Sequence, residues 1–350
     1  MKAAPALKRV LVVLPNWFGE TLFTTPFLGA LRAQRPDAEV TALGWPQCRQ
    51  VLEESALTGA FIEYDERGRD RNLPAKWRLA AALRRARFDT AFVLRRSLSR
   101  SLLAAAAGVP ARVGWEDAKS AWLLTHRARR PAGPVHKAAS YFPLLEAAGL
   151  ARPERLALRY VVGAEEREAA HAWLAARGIG ADRRLIILHP GANWPHKRWP
   201  IERFGALAAA MRRWPTVHVA VTGGRDDLRE AREIARLGGV GVSCWAGETS
   251  LRALGALLER ADLVVSNDTG VLHIAAALDR PLIGLYGPTS PALTGPLGGA
   301  ARSVVLHHPD CCPAIPCVRP ERLPHAGMRA VTLEEVESAA RGLLLEAPVS

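Results

Sequence analysis

The sequence contains no hydrophobic run of the roughly 18 residues that a membrane-spanning helix requires. Its N-terminal segment has an apolar core of about six residues, VLVVLP, and Asn16 and Glu20 follow that core where a small-residue cleavage site would stand in a signal peptide. Both absences argue against a secreted or membrane-spanning protein. We therefore expect a cytoplasmic chain.

Cysteine is scarce, and its number is odd. Three of the five cysteines lie together in CCPAIPC (311–317), and a cytosolic chain would keep them reduced. A zinc site would need a second pair of spaced ligands, which is missing. We predict no metal site, and His307, His308 and His325 keep a metal-binding alternative open because they lie close to the cysteines.

Two common phosphate-binding motifs are missing. The loop after the first predicted strand lacks G-x-G-x-x-G, and the whole chain lacks G-x-x-x-x-G-K-[ST]. Nicotinamide-dependent redox chemistry and P-loop phosphoryl transfer are therefore disfavoured. The loops that we consider below also contain no D-x-D pair, so they offer no obvious place for a phosphate-bridging metal.

What the chain does have is length, a large apolar fraction and an uneven charge. Its 350 residues are 49% hydrophobic and 23% charged, which suits two globular domains of about 150 residues each. Residues 1–160 contain 26 Lys and Arg against 14 Asp and Glu, whereas residues 161–350 contain 21 against 20. The basic first half predicts an anionic partner, which the charge alone leaves open between nucleic acid, a membrane surface and a phosphorylated substrate.

Short apolar runs alternate with helical patterns twice along the chain. The first round of predicted strands covers 10–15, 38–43, 60–64 and 89–94, and the second begins at 184–190. Two rounds of alternation predict an α/β protein with two doubly wound parallel sheets. We assign residues 1–160 to a basic first domain, 161–332 to a second domain and 333–350 to a C-terminal helix, with Thr332 and Glu335 as its capping box.

Ligands of open α/β sheets bind outside the carboxyl ends of the strands. Four loops at such ends have specialised sequences: PNWFGET (15–21), HPGANWPHKRWP (189–200), TGGRDD (222–227) and SNDTG (266–270). These loops are where we expect the functional residues.

The SNDTG loop opens a predicted helix. Either Asp268 or Thr269 can cap that helix, and Gly270 lets a ligand approach the backbone. The first-turn N–H groups then form an anion site suited to a diphosphate. His273 lies on the helix face of Thr269, outside the apolar stripe. The alternative is an ordinary helix cap with a partly buried histidine.

Two other loops supply charged side chains. Lys197 is a candidate partner for a phosphate, although a single lysine is more often a solvated surface residue. Glu20 follows a glycine at the end of the first strand, where a carboxylate can act as a general base. It can equally be a favourable charge in the first turn of a helix.

The segments VVLPNWFGETLFTTPFLGAL, HPGANWPHKRWP, SNDTGVLHIAAALDRPLIGLYGPTSP and CCPAIPC resemble glycosyltransferase family 9, the ADP-heptose:lipopolysaccharide heptosyltransferases. The resemblance runs from about residue 10 to 345, and D-T-G-x-x-H followed by Y-G-P-T is its most specific part. It implies a GT-B fold, in which two Rossmann-like domains face each other across a cleft. It also implies an inverting transfer without a required metal or other cofactor.

The resemblance assigns roles to residues of all four loops. Glu20 occupies the place of the acidic base in the acceptor-binding first domain, where the family usually has Asp. Lys197 matches the lysine that faces the donor phosphates. The remaining donor-binding positions implied for the second domain are Asp268, Thr269, Gly270, His273, Asn193, Asp227 and Thr249.

The implied partners are an ADP-sugar donor, an anionic lipid-linked saccharide acceptor and the inner face of the inner membrane, with no nucleic acid. Basic helical segments such as 76–87 are candidates for lying on that membrane, chiefly through their charge. Two alternatives remain: a nucleotide-sugar epimerase of the same fold and a basic nucleic-acid-binding protein. Against the latter, the sequence has no zinc finger, RNP-like aromatic motif or compact helix-turn-helix.

Overall fold

A computed structural model describes residues 4–298, 302–311, 316–317 and 325–345. The chain divides into two compact units, Met1–Arg159 and Tyr160–Ser350, so the boundary lies one residue from the expected one. The C-terminal helix, which we had set apart as 333–350, belongs to the second unit. No helix built from the described residues is long and apolar enough to cross a membrane.

The first unit contains one sheet of six parallel strands in the order β3-β2-β1-β4-β5-β6. The central strands β1 and β4 are mostly apolar, with four Val among nine residues, and almost wholly buried, as expected for a sheet covered on both faces. The strands are β1 Arg9–Val13, β2 Glu39–Gly44, β3 Ala60–Glu63, β4 Thr90–Val93, β5 Ala111–Trp115 and β6 His126–Ala128. The helices are α1 Phe18–Leu22, α2 Thr25–Gln34, α3 Pro46–Leu52, α4 Leu73–Arg85, α5 Leu98–Ala106 and α6 Phe142–Ala147.

The second unit repeats the plan, with six parallel strands in the order β12-β11-β10-β7-β8-β9. Its strands are β7 Arg184–His189, β8 Val217–Val221, β9 Val242–Cys244, β10 Leu263–Asn267, β11 Leu282–Tyr286 and β12 Ser303–His307. Its helices are α7 Ala164–Ala175, α8 Ile201–Met211, α9 Leu228–Gly238, α10 Leu251–Arg260, α11 Gly270–Ala277, α12 Pro291–Thr294, α13 Ala326–Ala330 and α14 Leu333–Leu345. The predicted α/β class with two doubly wound sheets is confirmed.

Two helices, and not one, follow β1. Helix α1 ends at Leu22 and α2 begins at Thr25, with Pro26 in the first turn of α2. Proline lacks the N–H that a helix interior needs, and its ring clashes with the carbonyl four residues earlier. The Thr24 and Thr25 hydroxyls donate to the carbonyls of Thr21 and Leu22 at 2.7 Å, which satisfies the backbone that the break frees.

The last helix begins as predicted. The Thr332 hydroxyl accepts a hydrogen bond from the Glu335 N–H at 3.2 Å, and the Glu335 carboxylate accepts one from the Thr332 N–H at 2.7 Å. This reciprocal capping satisfies two backbone donors. The buried side chains Val336 and Ala340 join the core of the second unit, so α14 completes that unit.

Candidate active site

The specialised loops of the second unit meet where two neighbouring strands end. Strands β7 and β10 are adjacent. The chain continues from β7 to β8 on one side and from β10 to β11 on the other. The place between two such strands is the switch point where open sheets bind ligands. Asn267 is fully buried there and joins the two loops. Its amide donates to the Pro190 carbonyl at 2.7 Å and accepts from the Trp199 N–H at 3.2 Å.

Asp268 is the centre of this site. Its carboxylate accepts a hydrogen bond from the Lys197 ammonium at 2.6 Å and another from the Thr289 hydroxyl at 2.7 Å. Nε2 of His273 lies 3.5 Å from its other oxygen. The structure thus brings together three residues that the sequence placed in the donor site, and it adds the threonine of the Y-G-P-T segment.

The electrostatics of Asp268 follow from its neighbours. Burial alone would raise the pKa of this carboxyl, but the hydrogen bond with His273 and the positive charge of Lys197 outweigh burial and hold the pKa well below its usual range. The carboxylate is therefore ionised at any physiological pH. It fixes the Lys197 ammonium, whose side chain is still 22% exposed, at the edge of the sheet.

The helix that follows is α11. Of the two cap candidates the structure uses Thr269, whose hydroxyl accepts from the Leu272 N–H at 3.4 Å. Gly270, half-buried, is the first helical residue. His273, predicted to lie outside the apolar stripe, is buried: its side chain is 4% exposed and turns toward Asp268. The charged partner explains the burial, because a polar ring inside a protein needs a hydrogen-bonding neighbour.

Asp227 is held by other groups of the same unit. Its carboxylate lies 2.9 Å from the Arg198 guanidinium and accepts from the Gly224 N–H at 3.0 Å. A Cβ added to Gly191 would come within 2.6 Å of this carboxylate, so the glycine of the HPGANW segment makes room for it. The ribose contact assigned to Asp227 stays a prediction.

The remaining two donor positions stand apart. Asn193 is exposed and Thr249 is half-buried. Within the described residues, no hydrogen bond joins either side chain to Lys197 or Asp268. Their donor contacts stay predictions.

The first unit has a second acid–lysine pair at the end of β1. Glu20 lies in the first turn of α1, and its carboxylate accepts a hydrogen bond from the Lys137 ammonium at 2.6 Å. The two side chains are 29% and 39% exposed, so water reaches both. The buried Tyr141 lies nearby: burial first, and then the negative charge of Glu20, raise the pKa of its phenol.

A buried arginine holds the backbone beneath Glu20. Arg100 of α5 is 1% exposed and donates to the Leu14 carbonyl and to the Asn16 side chain. Glu66 balances its charge at 3.3 Å. Arg100 therefore fixes the strand end from which the PNWFGET loop leaves.

Sequence reasoning missed Lys137, Arg100 and Thr289. Arg100 had a signal, since it lies three, four and seven residues before the buried Leu103, Ala104 and Ala107 on one helix face. Thr289 lay inside a segment already singled out. Lys137 had none beyond a basic surrounding, because 117 residues separate it from Glu20.

The alternative metal site is not assembled by the described residues. Among residues 4–298, 302–311, 316–317 and 325–345, no group of three or more His, Cys, Asp or Glu side chains is placed to hold an ion. His308 pairs with Glu335 at 3.1 Å, Cys311 is exposed, and Cys317 is buried. Cys312 lies outside the described residues.

Two doubly wound units with charged groups at the carboxyl ends of their strands are typical of α/β proteins that bind ligands at these ends. The model of "Glycosyltransferase family 9 (heptosyltransferase)" matches residues 76–321. That match covers more than half of the chain, so the chain belongs to glycosyltransferase family 9, the heptosyltransferases.

Similar proteins agree with the family. Lipopolysaccharide heptosyltransferase 2 of Salmonella typhimurium is 29% identical over 310 residues, which are 85% of this chain and 88% of that protein. The structure of Escherichia coli ADP-heptose lps heptosyltransferase II is 27% identical, with a TM-score of 0.80 over 97% and 99% of the two chains. A family 9 glycosyltransferase from Veillonella parvula is 25% identical, with a TM-score of 0.86 over 98% and 99%. These neighbours confirm the predicted GT-B fold class, and the family assignment favours a glycosyltransferase over the epimerase and nucleic-acid-binding alternatives.

Proposed function

We propose that this enzyme moves heptose from ADP-heptose to a lipid-linked saccharide of the lipopolysaccharide inner core, with inversion at the anomeric carbon. The names of its relatives support this donor and this acceptor. The observation that carries the proposal is the Lys197–Asp268 pair beside the N-terminus of α11. Together, they offer an ammonium and backbone N–H groups to a diphosphate.

The donor chemistry follows from this arrangement. As the bond between the anomeric carbon and the diphosphate oxygen breaks, negative charge grows on the ADP leaving group. The Lys197 ammonium and the first-turn N–H groups of α11 oppose that charge, and they are held in place before the reaction begins. Asp268 positions the lysine, and His273 supports Asp268.

Asp227 would accept from the ribose hydroxyls of the donor, with Asn193 and Thr249 contacting the donor around it. The resemblance to the family carries these three assignments. For Asp227, a fixed orientation supports the role, because Arg198 and the Gly224 N–H already hold its carboxylate in place.

The acceptor chemistry falls to Glu20. In the proposed step the acceptor hydroxyl oxygen forms a bond to the anomeric carbon while its proton passes to the Glu20 carboxylate. The Glu20 side chain is partly exposed and is therefore open to a substrate hydroxyl. Lys137 orients it, and Glu20 keeps a carboxylate, one methylene longer, where the family usually has Asp.

The reaction as proposed needs no metal and no other cofactor. Divalent ions commonly neutralise the phosphates of a nucleotide leaving group, and here Lys197 and the α11 N-terminus take that task. We also propose that the enzyme works on the cytoplasmic face of the inner membrane. The excess of 26 Lys and Arg over 14 Asp and Glu in residues 1–160 supports attraction to an anionic, lipid-linked acceptor.

One experiment tests these points together. The protein, freed of metals by exhaustive chelation, is mixed with ADP-heptose and with lipid A–Kdo or its first-heptose product, and the masses of acceptor and nucleotide are followed. We expect one heptose added to the acceptor for each ADP released. An isomerised donor formed without acceptor would indicate an epimerase, and activity that returns only with Mg²⁺ or Mn²⁺ would overturn the metal-independent step.

A further inference from the structure

Large apolar side chains are exposed on neighbouring elements of the first unit. Leu73 and Trp77 of α4 are 70% and 66% exposed, and Leu98 and Leu102 of α5 are both 42% exposed. Trp122, in the short 3-10 helix Ala121–Leu123, is 68% exposed. Single exposed apolar residues are ordinary, but a cluster on adjacent elements indicates a contact surface.

These residues belong to one surface. Helix α4 packs beside α5, and α5 packs beside the 3-10 helix 121–123. The opposite sides of both helices enter the core of the first unit through Leu83 and Leu103. The exposed pairs on α4 and α5 are each spaced four residues apart, so each pair lies along one outward helix face. We call Leu73, Trp77, Leu98, Leu102 and Trp122 the outer patch.

The charge around the α4 and α5 part of the outer patch is positive, whereas Glu116 and Asp117 lie in the turn before Trp122. Residues 71–88 contain six Lys and Arg and no carboxylate, and residues 90–115 contain the exposed Arg95 and Arg96 and no carboxylate. Arg78, Arg84 and Arg85 of α4 are exposed, and none of them forms a salt bridge with another described residue. Apolar side chains set among unpaired cations match a partner that is apolar inside and anionic at its surface.

We propose that the outer patch is the surface by which this enzyme docks on an anionic lipid bilayer. Tryptophan and leucine enter the boundary between headgroups and acyl chains, while Lys and Arg remain at the level of the phosphates. Two exposed tryptophans suit that boundary because the indole ring is apolar with one polar N–H. A protein partner would instead need carboxylates positioned to form a separate ion pair with each of these arginines.

The position of the outer patch connects it with the transfer reaction. Helix α5 and the 3-10 helix 121–123 follow the carboxyl ends of β4 and β5, and the Glu20 loop follows the carboxyl end of the adjacent strand β1. Parallel strands place these ends at one edge of the sheet. Docking would thus bring the Glu20 edge toward the membrane that holds the acceptor. This link rests on the proposed function, whereas the lipid contact itself does not.

Vesicle binding tests the proposal directly. The full-length protein is mixed with vesicles of phosphatidylcholine containing 30% phosphatidylglycerol and, separately, with vesicles of phosphatidylcholine alone. We expect binding to the anionic vesicles that weakens with salt. Replacing both Arg84 and Arg85 by Gln should weaken it roughly 30-fold, and Trp77→Ser with Trp122→Ser should weaken it by at least roughly 10-fold.

The second unit provides matched controls. Arg212→Gln with Arg213→Gln removes an adjacent exposed arginine pair at the end of α8, and Val240→Ser removes an exposed apolar side chain. Both should leave vesicle binding unchanged. Equal losses from control and patch variants, or patch variants that bind as tightly as the parent protein, would overturn the proposal. The proposal would also be overturned if the parent protein did not bind vesicles but formed a dimer that the patch variants abolish.

Transfer to an acyl-free, water-soluble acceptor separates this inference from the proposed function. The patch variants should keep the parental turnover on that acceptor and lose it only on acceptor embedded in vesicles. A parent protein that transfers no heptose to the soluble acceptor would contradict the proposed function, and the vesicle measurement would still decide the lipid contact. Reduced turnover of the patch variants on the soluble acceptor would place these residues in the fold or the site and count against a docking role.

Discussion

Each unit contains a carboxylate–lysine pair in the loops that follow its central strands: Glu20 with Lys137 in the first unit and Asp268 with Lys197 in the second. Both pairs have an N···O distance of 2.6 Å. The surroundings differ. Asp268 and Lys197 are 4% and 22% exposed, whereas Glu20 and Lys137 are 29% and 39% exposed. The same chemical contact is therefore mostly shielded from water in the second unit and accessible to water in the first.

Burial changes what such a pair can do. A buried carboxylate with a fixed partner remains ionised, and it serves as an anchor for the lysine beside it. A water-exposed pair contributes little to stability, about 0–1 kcal/mol, so its carboxylate can exchange its lysine for a substrate hydroxyl at small cost. The comparison supports the proposed roles: electrostatic positioning in the second unit and proton transfer in the first.

The largest expected effect comes from Glu20→Gln. Removing a general base lowers turnover by about 10²–10⁴-fold, while donor affinity and the melting temperature should stay nearly unchanged because the residue is partly exposed. Turnover and calorimetric ADP-heptose binding are measured on one preparation. Glu20→Asp should retain partial activity, since the carboxylate is kept one methylene shorter.

If Glu20 only stabilises the first turn of α1, which is worth about 0.3–1 kcal/mol, Glu20→Gln would lower the melting temperature slightly. Turnover per folded molecule would then equal that of the parent protein. This result would reduce the first pair to a structural contact.

Asp268→Asn tests the buried pair. It leaves the Lys197 ammonium partly buried without a counter-charge, and breaking a buried pair costs about 3–5 kcal/mol of unfolding free energy. Lys197→Met combined with Asp268→Asn should recover part of that loss but bind donor weakly, because the cation is gone. The readouts are urea unfolding and calorimetry. Full parental stability of Asp268→Asn would mean that the pair is not an anchor.

Some residues of the two pairs could be predicted from the sequence, and others could not. The fold class and three members of the buried cluster follow from local signals: alternating strands and helices, and polar residues directly after buried strands. The burial of His273 does not follow, because the apolar stripe of α11 is read along the helix, whereas Asp268 lies before it and draws the ring inward. Lys137 does not follow either, because tertiary folding alone brings it to Glu20.

The second unit should also be the more acid-sensitive one. Burial lowers the pKa of His189 and of His218 to about 4, below an ordinary value of about 6.5. Between these values the unfolded chain binds more protons than the folded one. Stability is therefore complete above about pH 6.5, and each histidine removes up to roughly 1.4 kcal/mol per pH unit as the pH falls toward 4.

Trp245 stacks on His218 with ring centroids 5.8 Å apart. Because each unit contains five of the ten tryptophans, the unfolding free energy is measured by urea titration followed by circular dichroism. Asp268 does not contribute above pH 5, because its folded pKa is lowered and its effect is confined to more acidic solutions. In His218→Asn the dependence between pH 7 and pH 5 should be about half that of the parent protein. A flat profile in the parent would contradict the buried, neutral state of both rings.

Lys137→Met is expected to have the smallest effect on stability, and it sharpens the comparison most finely. The pair with Glu20 is exposed, so its loss should change the unfolding free energy by less than about 1 kcal/mol. Donor affinity should not change, in contrast with Lys197→Met, because Lys137 belongs to the unit proposed to bind the acceptor.

Turnover of Lys137→Met should fall, since the ammonium holds the Glu20 carboxylate at 2.6 Å in one orientation. Lys137→Arg should restore part of the turnover by keeping a cationic donor. A merely structural lysine would give a different result: stability and turnover would fall together, and Arg would rescue both or neither. Unfolding, donor binding and turnover are therefore measured in parallel for Lys137→Met, Lys137→Arg and Lys197→Met. The results show whether two contacts of equal length differ in function because they differ in exposure to water.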